Sequence, residues 1–253
     1  MWLDCVPNAH AKKYSLCILS VPSSEMALNS DTQQNHMDIS QSQSPVVLEI
    51  CSGTASFSTA ARTRGYTAVT VDIDPAFNPT HTCDVRDWDH TAYAPGHFTH
   101  VWCSPPCTAF SNAKRSGERD YATADSIVLR CLELIAYFKP PAWYIENPAS
   151  GYLKTRPYMA PLPYHKLDYC AYDPTLGRRK RTAIWTNVSG FVPRLCAGEG
   201  KCPSMVGASH RGTCTGSYWE PIWKSKRGRA IECGRVPHDL IHALLNASHT
   251  TAT

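Results

Sequence analysis

Residues 45–53 read PVVLEICSG, an apolar run that ends in a glycine-containing turn. Such a run predicts a buried strand leading into a turn. The next segment, SFSTAARTRG (56–65), predicts a short helix that ends at Gly65, and YTAVTVDID (66–74) predicts a second strand ending in acidic residues. A strand, a helix and a strand in succession are typical of a parallel pair in an open α/β sheet.

The same alternation continues along the chain. Residues 120–138 place apolar side chains on one helical stripe, which Pro140 and Pro141 end. The segment RVPHDLIHALLNA (235–247) predicts an amphipathic helix that packs back onto the sheet. Four further strands are predicted at HVWCSP (100–105), AWYIE (142–146), HKLDYC (165–170) and TAIWTN (182–187). The sequence therefore predicts an α/β fold with a mostly parallel, Rossmann-like sheet, whose ligands bind beyond the carboxyl ends of the strands.

Composition limits the class of protein. The chain of 253 residues can bury one substantial core, and no run approaches the roughly 18 apolar residues of a membrane span. The apolar stretch at 15–21 is too broken to predict a signal peptide. Twelve cysteines scattered through predicted strands do not suggest a disulfide framework and indicate a reducing compartment with some metal-bound thiols. We expect a soluble intracellular monomer, in the cytoplasm or nucleus.

Charge is distributed unevenly. Residues 1–170 carry 13 basic and 16 acidic side chains, whereas residues 171–235 carry 12 basic and 4 acidic ones. The basic segment could face a polyanion, or it could be an ordinary solvated surface.

Two motifs follow the first strands. In EICSGTASF, Gly53 precedes Asp72 and Asp74 by 19 and 21 residues. A glycine-bearing turn allows close approach of a cofactor, and an acid at the end of the next strand can bind ribose hydroxyls. An ordinary strand–helix turn would look similar. Asp84, in HTCDVRDWD, could accept a bond from an adenine amino group or be a surface acid.

Three more motifs carry reactive or charged side chains. In SPPCTAFS, two prolines fix Cys107 at a strand end, where it could be a nucleophile or an inert packed thiol. In WYIENPASG, Glu146 could supply a proton to a ring nitrogen, or it could be a helix cap or half of a surface ion pair. In the basic run RRKR, Arg179 and Arg181 could contact phosphate or line a pocket, or the run could be a localisation signal.

Together and in this order, these motifs resemble the DNA cytosine-5 methyltransferase family, in its compact phage-type, site-specific form. EICSG resembles the family's cofactor loop, DID its ribose-binding acid and CDV its adenine-contacting Asp. PPCTAFS resembles the nucleophile motif, ENP the glutamate motif and RRKR the Q-x-R-x-R element. The resemblance covers residues 46–188, with a weaker likeness in the last predicted helix.

The resemblance implies methyl transfer from S-adenosylmethionine to C5 of a cytosine flipped out of duplex DNA. Its catalytic residues are Cys107, which adds to C6, Glu146 at N3, Arg179 and Arg181. The resemblance further implies cofactor contacts at Cys51, Ser52, Gly53, Phe57, Asp72, Ile73, Asp84 and Pro105. Residues 111–121 resemble the mobile catalytic loop. The expected DNA contacts are Ser111, Lys114, Arg115 and Arg119, joined by Lys224 and Arg227 of the basic segment KSKRGR (224–229).

The chain also departs from the family pattern. The cofactor loop has Thr54, Ala55 and Ser56 where further glycines are usual, and Gly177 stands where the family's Gln would fall. The GNS-type C-terminal segment is absent, and only about 50 residues separate TAIWTN from the last helix, which leaves no long target-recognition domain. An RNA or tRNA cytosine methyltransferase, and a catalytically impaired DNA-binding module on the same fold, therefore remain alternatives.

A Cys/His pattern lies in that short stretch, with Cys196, Cys202, His210 and Cys214 as candidate ligands of a structural zinc ion. Unliganded loop thiols are the alternative, and Cys233 is a reserve ligand. We therefore divide the chain into a disordered leader (1–44), a methyltransferase catalytic domain (45–190), a small Cys/His-rich basic target-recognition segment resembling a zinc knuckle (191–235), and a C-terminal helix and tail (236–253).

Overall fold

The computed structural model describes residues 44–112, 114, 116–210 and 226–249. All of the predicted leader except Ser44 lies outside these ranges, as do Arg115, Cys214 and Lys224. Within the described ranges, no helix combines the length and apolarity needed to cross a bilayer.

The centre of the fold is a seven-stranded sheet with the strand order β3-β2-β1-β4-β5-β7-β6. Its strands are β1 (Val46–Ile50), β2 (Thr67–Asp72), β3 (His81–Thr82), β4 (His100–Cys103), β5 (Ala142–Pro148), β6 (Tyr164–Asp168) and β7 (Arg181–Thr186). Strands β1 to β5 pair in parallel, and β7 lies antiparallel between β5 and β6. The predicted mostly parallel α/β class is confirmed. Strand β3 was not predicted, because two residues carry no periodicity.

Four α-helices, four single-turn 3-10 helices and one small hairpin complete the described elements. The α-helices are α1 (Ser56–Arg62), α2 (Tyr121–Phe138), α3 (Lys226–Gly234) and α4 (His238–His249), and the hairpin joins β8 (Met205–Val206) to β9 (Ser209–His210). Helix α2 begins where the Asp120 carboxylate accepts a bond from the Thr123 N–H, and it ends at Lys139, which has a left-handed conformation.

The sheet has a core on each face because side chains alternate along its strands. From β1, Leu48 and Ile50 pack with the buried stripe of α2 on one face. Val47 faces the other way, where it packs with α1 and α4. The buried residues of α4 are Leu240, Ile241, Leu244 and Leu245. The predicted C-terminal helix therefore covers one face of the sheet.

The position of β1 defines where a ligand can bind. Strand β1 pairs with β2 on one side and with β4 on the other. The chain therefore continues from β1 to β2 on one side, and after β3 it crosses to β4 on the other side. The loops that follow the two neighbouring strands then diverge and leave a crevice at the carboxyl ends of the strands. The glycine-bearing turn after β1 and the double proline after β4 both lie at this edge of the sheet.

Candidate active site and metal centre

The turn after β1 has an unusual backbone. Cys51, Gly53 and Ala55 all have positive φ, at 54°, 46° and 51°. The carboxylate of Asp72, at the end of β2, fixes this turn by accepting a bond from the Gly53 N–H at 2.7 Å. A Cβ placed on Gly53 would meet nothing within 4 Å, so the space beside the turn is open. Asp72 therefore shapes the turn that the sequence predicted as a cofactor loop.

The turn is supported from below by Glu49 of β1. Its carboxylate accepts bonds from the backbone N–H groups of Phe57 and Ser58, at 3.2 and 2.8 Å, at the start of α1. Burial raises the pKa of Glu49 to about 7. Phe57, predicted as a cofactor contact, is fully buried and stacks on Trp102 with ring centroids 5.1 Å apart. It supports the turn through the core and presents no surface to a cofactor.

Two other predicted cofactor residues lie beyond β2 and β3. Ile73 is 67% exposed, which is unusual for a large apolar side chain and suits contact with a flat ring. Asp84 pairs with Arg86 through both carboxylate oxygens, and the hydrogen bonds from Arg86 hold the pKa of Asp84 below its usual value. Ser52 is buried and donates its backbone N–H to the Val71 carbonyl.

The predicted nucleophile lies on the loop after β4. Ser104 extends the β1–β4 pairing by donating its backbone N–H to Ile50, and Pro105 is buried. Cys107 is half-buried, and its carbonyl accepts bonds from the N–H groups of Phe110 and Ser111 at 3.0 and 2.7 Å. The prolines and this turn hold the cysteine at the edge of the crevice.

The loop after β5 is tied to the nucleophile loop. The Asn147 side chain donates to the Pro105 carbonyl at 3.0 Å, and the Tyr152 N–H donates to the Phe110 carbonyl at 2.8 Å. Gly151 lies between them, and a Cβ there would be 3.0 Å from the Phe110 oxygen and 3.1 Å from the Pro148 oxygen. Two loops that are about 40 residues apart in sequence therefore form one packed unit.

Glu146 is buried in this unit and has two donors. The ammonium group of Lys180 lies 3.1 Å from Glu146 Oε1, and the Tyr169 hydroxyl donates to the same oxygen at 3.3 Å. Burial by itself would lower the pKa of Lys180, but the neighbouring Glu146, Tyr169 and Cys107 raise it above its usual value. Lys180 therefore keeps its positive charge beside both Glu146 and Cys107.

In this structure the two arginines predicted from the RRKR run contact an acid other than Glu146. Arg179 donates to Asp168 at 3.1 Å, and Arg181 binds both oxygens of Asp168 at 2.9 and 2.7 Å. Asp168, at the end of β6, is fully buried. Alternate residues of an extended chain point in opposite directions, so Lys180 is directed to Glu146 while its two neighbours are directed to Asp168. Lys180, which lies between the two predicted arginines, was not predicted from the sequence.

The predicted catalytic loop is organised by Arg119. Its guanidinium donates to the carbonyls of Ala109, Ser111 and Lys114 at 2.6, 2.9 and 2.8 Å. Lys114 itself donates to the Glu118 carbonyl. Arg119, expected at DNA phosphates, thus closes the loop on itself in this structure. Of the other expected DNA contacts, Arg115 and Lys224 lie outside the described ranges, and Arg227 lies on α3 without a described side chain.

A cluster of thiol and imidazole side chains lies beside Asp168. The ligand atoms of Cys170, Cys196, Cys202 and His210 all lie within 4.8 Å of one another. Three of these four were predicted from sequence. Cys170 was missed because it comes from the sheet and not from the Cys/His-rich segment, and the predicted fourth ligand, Cys214, lies outside the described ranges.

Comparison with known proteins relates the chain to a DNA methyltransferase. No model of a protein family matches the chain. The chain is 40% identical over 174 residues to a protein of Frog virus 3 (isolate Goorha) described as "Probable DNA (cytosine-5)-methyltransferase", with 63% of this chain and 78% of the viral protein covered. Among solved structures, it is similar to an E. coli protein described as a "putative DNA modification methyltransferase encoded within prophage". That similarity has a TM-score of 0.45 and 15% identity, and it covers 59% of this chain and about half (51%) of the other.

Proposed function

Because this chain belongs to the DNA (cytosine-5)-methyltransferase family, we propose that it transfers a methyl group from S-adenosylmethionine to C5 of a cytosine in duplex DNA. The observation that carries the proposal is the buried contact of Glu146 with Lys180 and Tyr169, near the end of β5, where the adjacent Asn147 is bonded to the loop of Cys107. A buried carboxylate and cation beside a fixed thiol suit covalent attack on a ring.

The crevice beside β1 suits the cofactor. The space beside Gly53 is open, Asp72 lies at the end of the next strand for the ribose, and Ile73 offers an exposed apolar surface to the adenine ring. Asp84 would accept from the adenine amino group, and Cys51, Ser52 and Pro105 would line the remaining wall. S-adenosylmethionine supplies the methyl group when it is bound there.

The chemistry follows from the two packed loops. The Cys107 thiolate forms a bond to C6 of the cytosine while Glu146 holds a proton at N3, so that C5 becomes nucleophilic and accepts the methyl group. Loss of the C5 proton to a water molecule then allows the bond between C6 and sulfur to break, which restores the ring and the thiolate. Within the described part of the chain, both donors to Glu146 bind Oε1, which leaves Oε2 for the base.

Lys180 has an electrostatic role in this proposal. A nearby cation favours the thiolate form of a cysteine. The same cation offsets the negative charge that the thiolate transfers to the ring during addition. The positive charge sits 3.1 Å from Glu146 and close enough to Cys107 for each to raise the pKa of the lysine.

The target base must leave the duplex, because its C6 atom is hidden in the base stack. Ser111 and Lys114 lie on the loop after Cys107, and with Arg115 they would contact phosphates, whereas Arg119 would order the loop. Lys224, Arg227 and the rest of the basic segment would contact the DNA backbone.

The proposal includes the boundaries stated above for the catalytic domain and the target-recognition segment. It also includes a monomeric state and a structural zinc ion in the Cys/His cluster.

The test uses tritiated S-adenosylmethionine with duplex DNA and with tRNA as separate substrates. We expect label in DNA, and we expect a duplex containing 5-fluorocytosine to form a covalent complex that survives denaturation. Cys107→Ser should abolish the complex, and Cys233→Ser should retain it.

Two results would contradict the proposal. Label found in tRNA alone would make the chain an RNA methyltransferase. Binding of S-adenosylmethionine and duplex DNA without any covalent complex would make it a non-catalytic DNA-binding module.

A further inference from the structure

The Cys/His cluster has the dimensions of a tetrahedral metal site. His210 Nε2 lies 3.4 Å from the sulfur of Cys196 and 3.6 Å from the sulfur of Cys202. Sulfur at about 2.3 Å and nitrogen at about 2.1 Å from a tetrahedral zinc ion lie about 3.6 Å from each other. Three sulfur ligands and one imidazole are a donor set that selects zinc. The side chains therefore fit the ion with little movement.

The local backbone builds three corners of this site. A turn from Gly198 to Cys202, closed by the bond from the Cys202 N–H to the Gly198 carbonyl, brings Cys202 back to Cys196. The Gly198 N–H also donates to the Cys196 sulfur at 3.4 Å, a contact that stabilises a metal-bound thiolate. The β8–β9 hairpin, with Gly207 at positive φ in its turn, then places His210 on the same side.

The fourth ligand comes from the segment directly after β6, outside the Cys/His-rich segment. Cys170 is buried on the helical turn Tyr169–Ala171, directly after β6. We infer that Cys170, and not Cys214, is the fourth ligand of a structural zinc ion completed by Cys196, Cys202 and His210. The inference rests on the proposed zinc ion but is independent of the proposed methyl transfer. It makes the ion a cross-link between the core sheet and the target-recognition segment, whereas Cys214 would confine the ion to that segment.

Asp168 links the proposed metal site to Arg179 and Arg181. Asp168, two residues before Cys170, accepts a bond from the Cys196 N–H at 2.9 Å as well as those from Arg179 and Arg181. The Asp168 N–H donates in turn to the Arg194 carbonyl. The ion thereby fixes Cys170 and Cys196, which both lie next to Asp168. Through Asp168 it also orients the half-exposed guanidinium groups of Arg179 and Arg181.

The experiment measures bound zinc in the purified full-length protein and in three matched variants. We expect about one zinc ion per chain in the natural protein, in Cys214→Ser and in Cys233→Ser, and at least a tenfold loss of zinc affinity in Cys170→Ser. A protein that is purified without zinc and takes up none when zinc is supplied would overturn the inference. So would loss of zinc from Cys214→Ser with retention in Cys170→Ser.

A second measurement covers the case in which Cys170→Ser does not fold. In Cys170→His, cobalt should still bind in place of zinc, and its sulfur-to-metal charge-transfer absorption should fall by about one third because two of three thiolates remain. In Cys214→His the cobalt spectrum should be that of the natural protein. The opposite pattern would assign the fourth ligand to Cys214. Covalent trapping of 5-fluorocytosine DNA, measured on the same samples, reports separately on the proposed methyl transfer.

Discussion

At the scale of single residues, Lys180 shows how alternation along an extended segment decides which member of a basic run contacts Glu146. Its two neighbours are drawn to the buried carboxylate of Asp168, and the lysine is directed to Glu146. The choice depends on the burial of two acids on different strands. Sequence analysis identified the run but could not determine which side chain faces which acid, because strand pairing sets that orientation.

Lys180→Met should lower the single-turnover rate of methyl transfer by about 100-fold or more, because the transition state loses a preorganised cation. Lys180→Arg should recover part of the rate, and Lys166→Met, an exposed lysine on the neighbouring strand, should behave like the natural protein. Binding of S-adenosylmethionine should change by less than about twofold in all three. A rate for Lys180→Met within threefold of the natural protein would remove Lys180 from the catalytic machinery.

At the scale of elements, two loops act as one unit. The contacts between Asn147 and Pro105 and between Tyr152 and Phe110 lock the loop after β5 to the loop after β4. Gly151 makes the close approach possible, since a Cβ there would touch backbone oxygen atoms of both loops. Backbone atoms cannot move aside as easily as the end of a flexible side chain, so a larger residue at this position would have to displace one of the loops slightly.

Gly151→Ala should lower the Tm by about 5 °C and slow covalent trapping by 5-fluorocytosine DNA, because the two loops must separate to admit the Cβ atom of the alanine. Gly234→Ala is the control, since a Cβ there meets nothing within 4 Å. Scanning calorimetry and a trapping time course measure the two effects. Equal Tm values and trapping rates for both variants would show that the loops are not coupled through Gly151.

Much of this architecture could be predicted from the sequence. All strands longer than two residues and helices α1, α2 and α4 follow from apolar periodicity and from Gly and Pro at their ends. The predicted nucleophile follows the end of β4, and Glu146 lies two residues before the end of β5. The rest depends on tertiary structure: Cys170 joins the Cys/His cluster only because β6 ends beside residues 196–210, and Phe57 is buried only because α1 packs on Trp102. Neither proximity leaves a signal in local spacing.

At the scale of the whole molecule, two buried groups give opposite contributions to the dependence of stability on pH. Burial raises the pKa of Glu49 from 4.5 to about 7, so its contribution is present below pH 4.5 and is lost as the pH rises through 7. Burial, with a smaller effect of His249, lowers the pKa of His100 from 6.5 to about 4, so its contribution is present above 6.5 and is lost as the pH falls through 4. The two trends offset each other where these ranges overlap, between pH 4.5 and 6.5.

Replacement of one of these two groups should reveal the pH dependence of stability that the other contributes. Between pH 5 and pH 8, Glu49→Gln should gain roughly 3 kcal/mol of unfolding free energy relative to the natural protein, from about 1.4 kcal/mol per pKa unit. Urea unfolding at a series of pH values measures this difference, and His100→Gln should deviate in the opposite direction. A constant difference between Glu49→Gln and the natural protein across this range would mean that Glu49 does not titrate there.

The packing of α4 has a consequence for how the chain folds during synthesis. Its contacts with the start of the domain include the pairs Thr63–His242 and Tyr66–His249, which are 179 and 183 residues apart. This face of the sheet, which α1 covers only in part, thus remains incompletely covered until α4 has been synthesised, so the domain closes late and through contacts that are distant in sequence. A ribosome-bound chain that ends before α4 exposes this apolar face to chaperones and to other nascent chains.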